Sequence, residues 1–199
     1  DPELLNSLPI REYHSGMAEV IKYGLILNKE LFIKLEDNLE ILSSGYQSSS
    51  CLYDLIINCI KLKVEIVKKD ERDNGIRNIL NFGHTIGHAL ESFFGNDYLR
   101  HGEAVAYGML YASKISKSYG NLSNEDLIRI NNVINKLNLP ELKNIKINKI
   151  LNFIKNDKKR TSRNIRFILL DNIGSANISE NIDYNNIELA LKDYEYISY

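Results

Sequence analysis

Three of the four histidines, His84, His88 and His101, fall within eighteen residues of one another. Imidazoles grouped in this way serve as transition-metal ligands and as proton relays near neutral pH. If the segment from Arg77 is helical, Arg77, Asn81, His84 and His88 follow at steps of four, three and four and share one face. Ile79, Leu80, Ile86, Ala89 and Leu90 then lie elsewhere. A solvated polar face is the plain alternative, but such a face usually carries Lys and Glu, not a guanidinium, an amide and two imidazoles. Gly83 and Gly87 fall inside the same stretch. Each costs about 1 kcal/mol relative to alanine in a helix interior. That cost points to close approach by a ligand or another backbone, with ordinary helix packing nearly as good an account.

Charged residues in apolar surroundings extend the pattern. Glu19 and Lys22, three apart, sit among Met17, Ala18, Val20, Ile21, Tyr23 and Gly24. They fit either a surface ion pair or an inward carboxylate beside an ammonium for an anion. Lys63 shares a stripe with Leu52, Ile56, Cys59 and Ile66, where a lysine must snorkel or meet an anion. His101-Gly102-Glu103 opens a segment rich in Ala and Gly. The basic run Asp157-Lys158-Lys159-Arg160 reads by itself as surface, and His14 reads as structural. Two or three imidazoles, a carboxylate and several cations fit a catalytic divalent metal with an open position beside an anion site. Mixed nitrogen and oxygen ligands favour Zn²⁺.

The elements that must position these groups are mostly helices. The apolar spacing predicts an extended lead-in over Asp1 to Pro9 and helices over Gly16 to Asn28, Leu31 to Leu39 and Leu52 to Val67. Asp70 to Gly75 breaks the last of these, and one long helix is expected over Arg77 to Phe94, ended by Gly95-Asn96-Asp97. A closely packed helix follows over Gly102 to Ser118, and Ser123 is a candidate N-cap for the next. Ile165 to Leu170 with the turn Asn172-Ile173-Gly174 predicts a small β-hairpin near 165–180, and an amphipathic helix runs from Tyr184. The expected class is mainly α, multi-helical, with that one hairpin.

The chain has 199 residues, enough for one domain or two small ones. With 25 Lys and Arg against 26 Asp and Glu, there is no basic excess to attract nucleic acid or an anionic membrane. No apolar run approaches a membrane span and no signal peptide opens the chain. Cys51 and Cys59 are too few and too widely spaced for a disulfide framework, so reduced thiols in a cytoplasmic protein are expected. The first residue is Asp1, so a start inside a longer product, or processing, is expected.

Four ordered segments carry a family resemblance. They are Leu8-Pro9-Ile10-Arg11-Glu12 with Gly16 to Gly24; Asp70-Glu71 with Gly75 to Glu91; His101 to Met109; and Asp157-Lys158-Lys159 with Arg166 to Leu170. Together they resemble the C-terminal domain of the 3-dehydroquinate synthases, in order and over nearly the whole chain. The resemblance implies zinc ligation by Glu19, His84 and His101, with Co²⁺ as a possible substitute, and makes His88 a proton relay instead of a ligand. It implies substrate contacts from Lys22, Lys63, Arg77, Asn81 and the pair Lys158 and Lys159, with Lys159 preferred. Asp73 stands where the family carries a longer Glu assigned as a base. Leu4, Leu5, Asn6 and Ser7 would touch NAD, with Asn6-Ser7 departing from the usual Thr-containing version.

The reaction so implied converts 3-deoxy-D-arabino-heptulosonate 7-phosphate, a phosphorylated sugar acid, into 3-dehydroquinate and phosphate in the shikimate pathway. Residues 1–10 would lead in from a missing N-terminal NAD-binding domain, and 11–199 would form the helical zinc- and substrate-binding domain. No G-x-G-x-x-G loop is present to bind NAD here. The expected whole enzyme is a homodimer, and the fragment alone is expected to be inactive. Competing readings are a deoxy-inosose or valiolone synthase, which tend to carry Asp-Asn-Lys at Asp157-Lys158-Lys159; a polyol dehydrogenase of the same superfamily, which should lack the Glu19-to-Lys22 motif; and a non-catalytic helical domain retaining the metal site.

Overall fold

A computed structural model describes residues 1–46, 50–119, 121–161, 166–180 and 182–192, with the side chains of 157–161 excepted. Helices α1 (Ile10–Leu27), α2 (Lys29–Asp37), α3 (Glu40–Ser43), α4 (Ser50–Lys69), α5 (His84–Phe94), α6 (His101–Ser118), α7 (Asn124–Asn135), α8 (Ile147–Thr161) and α9 (Tyr184–Lys192) surround one antiparallel hairpin, β1 (Phe167–Asn172) and β2 (Ser175–Ser179). The mainly helical class and the position of the hairpin agree with the sequence. Among the described residues, no helix is long and apolar enough to cross a membrane.

Helix α6 is the axis of the packing and touches α1, α5, α7, α9 and β1. Its small residues make this possible. A Cβ on Gly87 of α5 would lie 3.1 Å from the Ala104 carbonyl oxygen, and a Cβ on Gly108 would overlap the Gly83 carbonyl. Packing this close explains the glycines that look costly in sequence. Ser116, fully buried, donates to the Ala112 carbonyl at 2.8 Å and accepts from the Leu170 backbone N–H at 2.9 Å, tying β1 to α6. The hairpin turn is tied to α1, because the Gly174 N–H donates to the Leu25 carbonyl at 2.8 Å.

The segment Arg77–Phe94 is not one helix. A 3-10 turn spans Ile76–Asn81, Phe82 is fully buried, Gly83 adopts φ +79°, and α5 starts only at His84. The left-handed Gly83 lets the chain turn under α6, against Val105 and Met109, where a continuous helix would collide. The shared face of Arg77, Asn81, His84 and His88 therefore exists only for the two histidines.

Asp1 to Pro9 is not extended either. Pro2–Ser7 forms a 3-10 helix, with the Asp1 side chain accepting from the Glu3 N–H at 3.0 Å. Helix α1 begins at Ile10, directly after Pro9, well before the expected Gly16. Helix α8 was not foreseen, although Ile147, Ile150, Leu151 and Ile154 have helical spacing. The Ser123 N-cap is as expected, its side chain accepting from the Asp126 N–H at 3.0 Å.

Candidate metal centre

The histidines converge because two helices, α5 and α6, pack against each other. His84 opens α5, His88 follows one turn later and His101 opens α6. Ring centroids lie 5.4 Å apart for His84 and His88, 5.4 Å for His84 and His101, and 5.7 Å for His88 and His101. One nitrogen from each lies within 4.8 Å of the others.

Helix α1 adds Glu19, whose Oε1 stands 3.7 Å from His84 Nε2. The other carboxylate oxygen accepts from Lys22 Nζ at 2.6 Å. Oε1 is itself buried and has no hydrogen-bond partner. An orphaned carboxylate oxygen facing an imidazole nitrogen is unfavourable alone and fits a cation between them. Burial is the chief cause that pushes the His84 pKa down to about 4, with Lys22 adding to the effect, so the imidazole is neutral and able to ligate at pH 7.

The geometry leaves two ligand sets to compare. Proximity alone groups the three histidines. Hydrogen bonding separates them. His84 Nδ1 lies 3.2 Å from the Phe82 carbonyl, and His101 Nδ1 lies 3.2 Å from Glu91 Oε2. Among the described residues His88 makes no hydrogen bond; it is exposed and lines a cavity of about 310 Å³ between α5 and α8 with Ser92, Phe153 and Asn156. Oriented imidazoles with one nitrogen free are the usual state of metal ligands. This favours Glu19, His84 and His101 over a set that includes His88.

The cations gather unevenly. Lys22 is 4% exposed, and burial drives its ammonium below the usual lysine range, opposed by Glu19 and reinforced by Lys63. Tyr23 is pushed up to about 12, first by burial and then by Glu19, with Arg77 acting in the opposite sense. The charge of Lys63 is thus felt at Lys22 and that of Arg77 at Tyr23, although Lys63 itself is exposed. Arg77 also donates to the Glu71 carbonyl at 3.0 Å.

The other expected residues have surroundings of their own. Asn81 is exposed at the end of its 3-10 turn, beside a narrow crevice with Gly83 and Phe167. Asp73 is exposed in the loop with φ +55°, and its backbone carbonyl accepts from Asn78. The side chains of Lys158 and Lys159 lie outside the described residues. Leu4 is 74% exposed, Asn6 and Ser7 are also exposed, and Leu5 lines an apolar groove.

Sequence reasoning missed three carboxylates. Glu91, three residues after His88 on the same stripe, reaches His101. Asp70 accepts the backbone N–H groups of Arg77, Gly75 and Asn74, which hold its carboxyl below the usual range and shape the loop that presents Arg77. Glu103, 3% exposed, pairs with Arg11 Nε at 2.6 Å and accepts from the Arg100 N–H at 2.7 Å, fixing the start of α6 against α1.

Known proteins share this arrangement of elements. Residues 16–160 match the family described as 3-dehydroquinate synthase C-terminal. The chain is 41% identical over 184 residues to the 3-dehydroquinate synthase of Rippkaea orientalis, covering 92% of this chain and 50% of that protein. It is 40% identical over 198 residues to that of Thermodesulfovibrio yellowstonii, covering 97% and 54%. It therefore spans about half the length of the curated relatives it matches. A 2-deoxy-scyllo-inosose synthase complexed with carbaglucose-6-phosphate, NAD⁺ and Co²⁺ superposes with a TM-score of 0.83 at 27% identity, over 97% of this chain and 54% of that one. The 2-epi-5-epi-valiolone synthase ValA of Streptomyces hygroscopicus, with NAD⁺ and Zn²⁺ bound, shares the fold with a TM-score of 0.89 at 24% identity, over 98% and 54%.

Proposed function

The chain belongs to the 3-dehydroquinate synthase C-terminal family, and on that premise we propose that it is the metal- and substrate-binding half of a carbon–oxygen lyase that makes 3-dehydroquinate and phosphate from 3-deoxy-D-arabino-heptulosonate 7-phosphate. The observation that carries the proposal is the orphaned Glu19 oxygen facing His84 Nε2, with His101 beside it. Relatives near 40% identity are dehydroquinate synthases, whereas the valiolone and inosose synthases match at 24% and 27%, which favours the former substrate.

Glu19, His84 and His101 would hold Zn²⁺, or Co²⁺ in its place. Bound there, the metal would polarise a substrate hydroxyl and lower its pKa. Lys22, Lys63 and Arg77 supply positive charge for the substrate's phosphate and carboxylate, and Asn81 with Lys158 or Lys159 would complete that set. His88, uncommitted on both ring nitrogens, is the group free to carry a proton between substrate and solvent. Asp73 is the candidate second base.

Residues 11–199 would form this helical domain and 1–10 the lead-in from an NAD-binding half, with Leu4 to Ser7 touching the dinucleotide. An apolar groove of about 550 Å³ lined by Leu5, Leu8, Val20, Ile56, Ile57 and Ile60 supports a docked partner domain at that end. The whole enzyme would be a cytoplasmic homodimer. Metal analysis tests the centre. Glu19→Ala and His84→Ala should each lose tightly bound zinc, while His88→Ala should keep it and lose turnover in the two-domain enzyme. Full zinc occupancy in Glu19→Ala or His84→Ala would overturn the assignment.

A further inference from the structure

We propose that Glu91 is the positioning residue for His101, fixing the imidazole so that Nε2 is its free nitrogen. The inference rests on the metal reading above and adds a residue to it. The contact is direct, with Glu91 Oε2 3.2 Å from His101 Nδ1. An ionised carboxylate only accepts hydrogen bonds, so the nitrogen facing it must carry the proton. In the neutral imidazole, the form that binds a metal, the opposite ring nitrogen then holds the lone pair.

The same device appears at His84, by different means. There the Phe82 carbonyl lies 3.2 Å from Nδ1, and Nε2 stands 3.7 Å from Glu19 Oε1. Two imidazoles on different helices thus each turn Nδ1 toward an oxygen acceptor, an arrangement that favours the same tautomer at both. His88 has no such acceptor among the described residues. Partners of this kind raise ligand basicity and hold ring orientation.

The surroundings of Glu91 suit this role. It lies on α5, whose packing against the start of α6 is fixed by the close approach of Gly87 to Ala104 and Val105. The start of α6 is fixed in turn by Glu103 and by the Gly102 N–H, which donates to Ser15 Oγ at 3.1 Å. His101, with its side chain 49% exposed, has little packing of its own to hold it. The Glu91 side chain is 21% exposed and is not part of the buried apolar core.

The test uses Zn²⁺ itself as the probe. Chelator competition on the purified protein should show Zn²⁺ binding weakened about 10- to 100-fold in Glu91→Ala. Glu91→Gln, whose amide oxygen still accepts from Nδ1–H, should recover binding to within about threefold. Nitrogen-15 histidine spectra of the metal-free protein should show His101 as the Nδ1–H tautomer in the unaltered chain and a mixture in Glu91→Ala. A purely structural role would lower the melting temperature and leave the tautomer alone. If Glu91→Ala binds Zn²⁺ within about twofold of the unaltered protein and keeps the tautomer, the inference falls. His101→Ala separates the two readings. Lost Zn²⁺ in that variant with unaffected Glu91→Ala overturns the inference only. Undiminished Zn²⁺ binding in His101→Ala overturns the metal reading itself.

Discussion

The imidazole of His84 sits where burial and Lys22 both work against a proton. Its pKa near 4 in the folded chain lies below the value of 6.5 for an unperturbed histidine. Between those values the unfolded chain binds more protons than the folded one. The stability contributed by neutral His84 is therefore present above about pH 6.5 and lost as pH falls toward about 4. Urea melts of the metal-free protein at about pH 7 and about pH 5 should show this loss, and His84→Gln should reduce it. The histidine group was legible in the sequence because three imidazoles lie so close along the chain. Its outer carboxylates were not. Glu91 reaches a residue ten positions away across a loop, and Glu103 pairs with Arg11 at a separation of 92, so no local pattern could reveal either contact.

Glycines that look alike in sequence behave oppositely within helices. Gly16 of α1 has nothing within 4 Å of an added Cβ, so Gly16→Ala should stabilise the chain by about 0.5–1 kcal/mol, measured as a higher urea midpoint. An added Cβ on Gly108 of α6 would overlap the Gly83 carbonyl, so Gly108→Ala should lower the midpoint by the equivalent of about 1–3 kcal/mol. Most helices were readable from apolar spacing, as were the hairpin and the Ser123 cap. The break at Phe82 and Gly83 was not, because the pattern Ile79, Leu80, Ile86, Ala89, Leu90 looks continuous. What interrupts it is the approach of α6 from residues 105–109, a tertiary demand that overrides local periodicity.

At the scale of the molecule, the apolar groove beside Leu5 and Leu8 continues onto Ile57, Ile60 and Val64, which are 46%, 58% and 44% exposed. Such a surface should bind the dye ANS and make the 199 residues associate as their concentration rises; sedimentation showing a monomer throughout, with no dye binding, would contradict this. On the function proposed above, these residues alone, supplied with NAD⁺, Zn²⁺ and the heptulosonate phosphate, should release no phosphate at enzymic rates. In that reading NAD⁺ would accept a hydride from the substrate and would have to be held against it, where misplacement by about 1 Å can cost roughly a hundredfold. Adding a separately made nucleotide-binding half should restore release.

The bond from Gly174 to the Leu25 carbonyl bears on how the chain is made. Helix α1 carries Glu19, yet the carbonyl near its end is satisfied by a residue synthesised 149 positions later. At about 5–20 residues per second a ribosome takes roughly 7–30 s to cover that distance. Through that interval the Leu25 carbonyl lacks its final partner, and water is left to take the place of the hairpin turn.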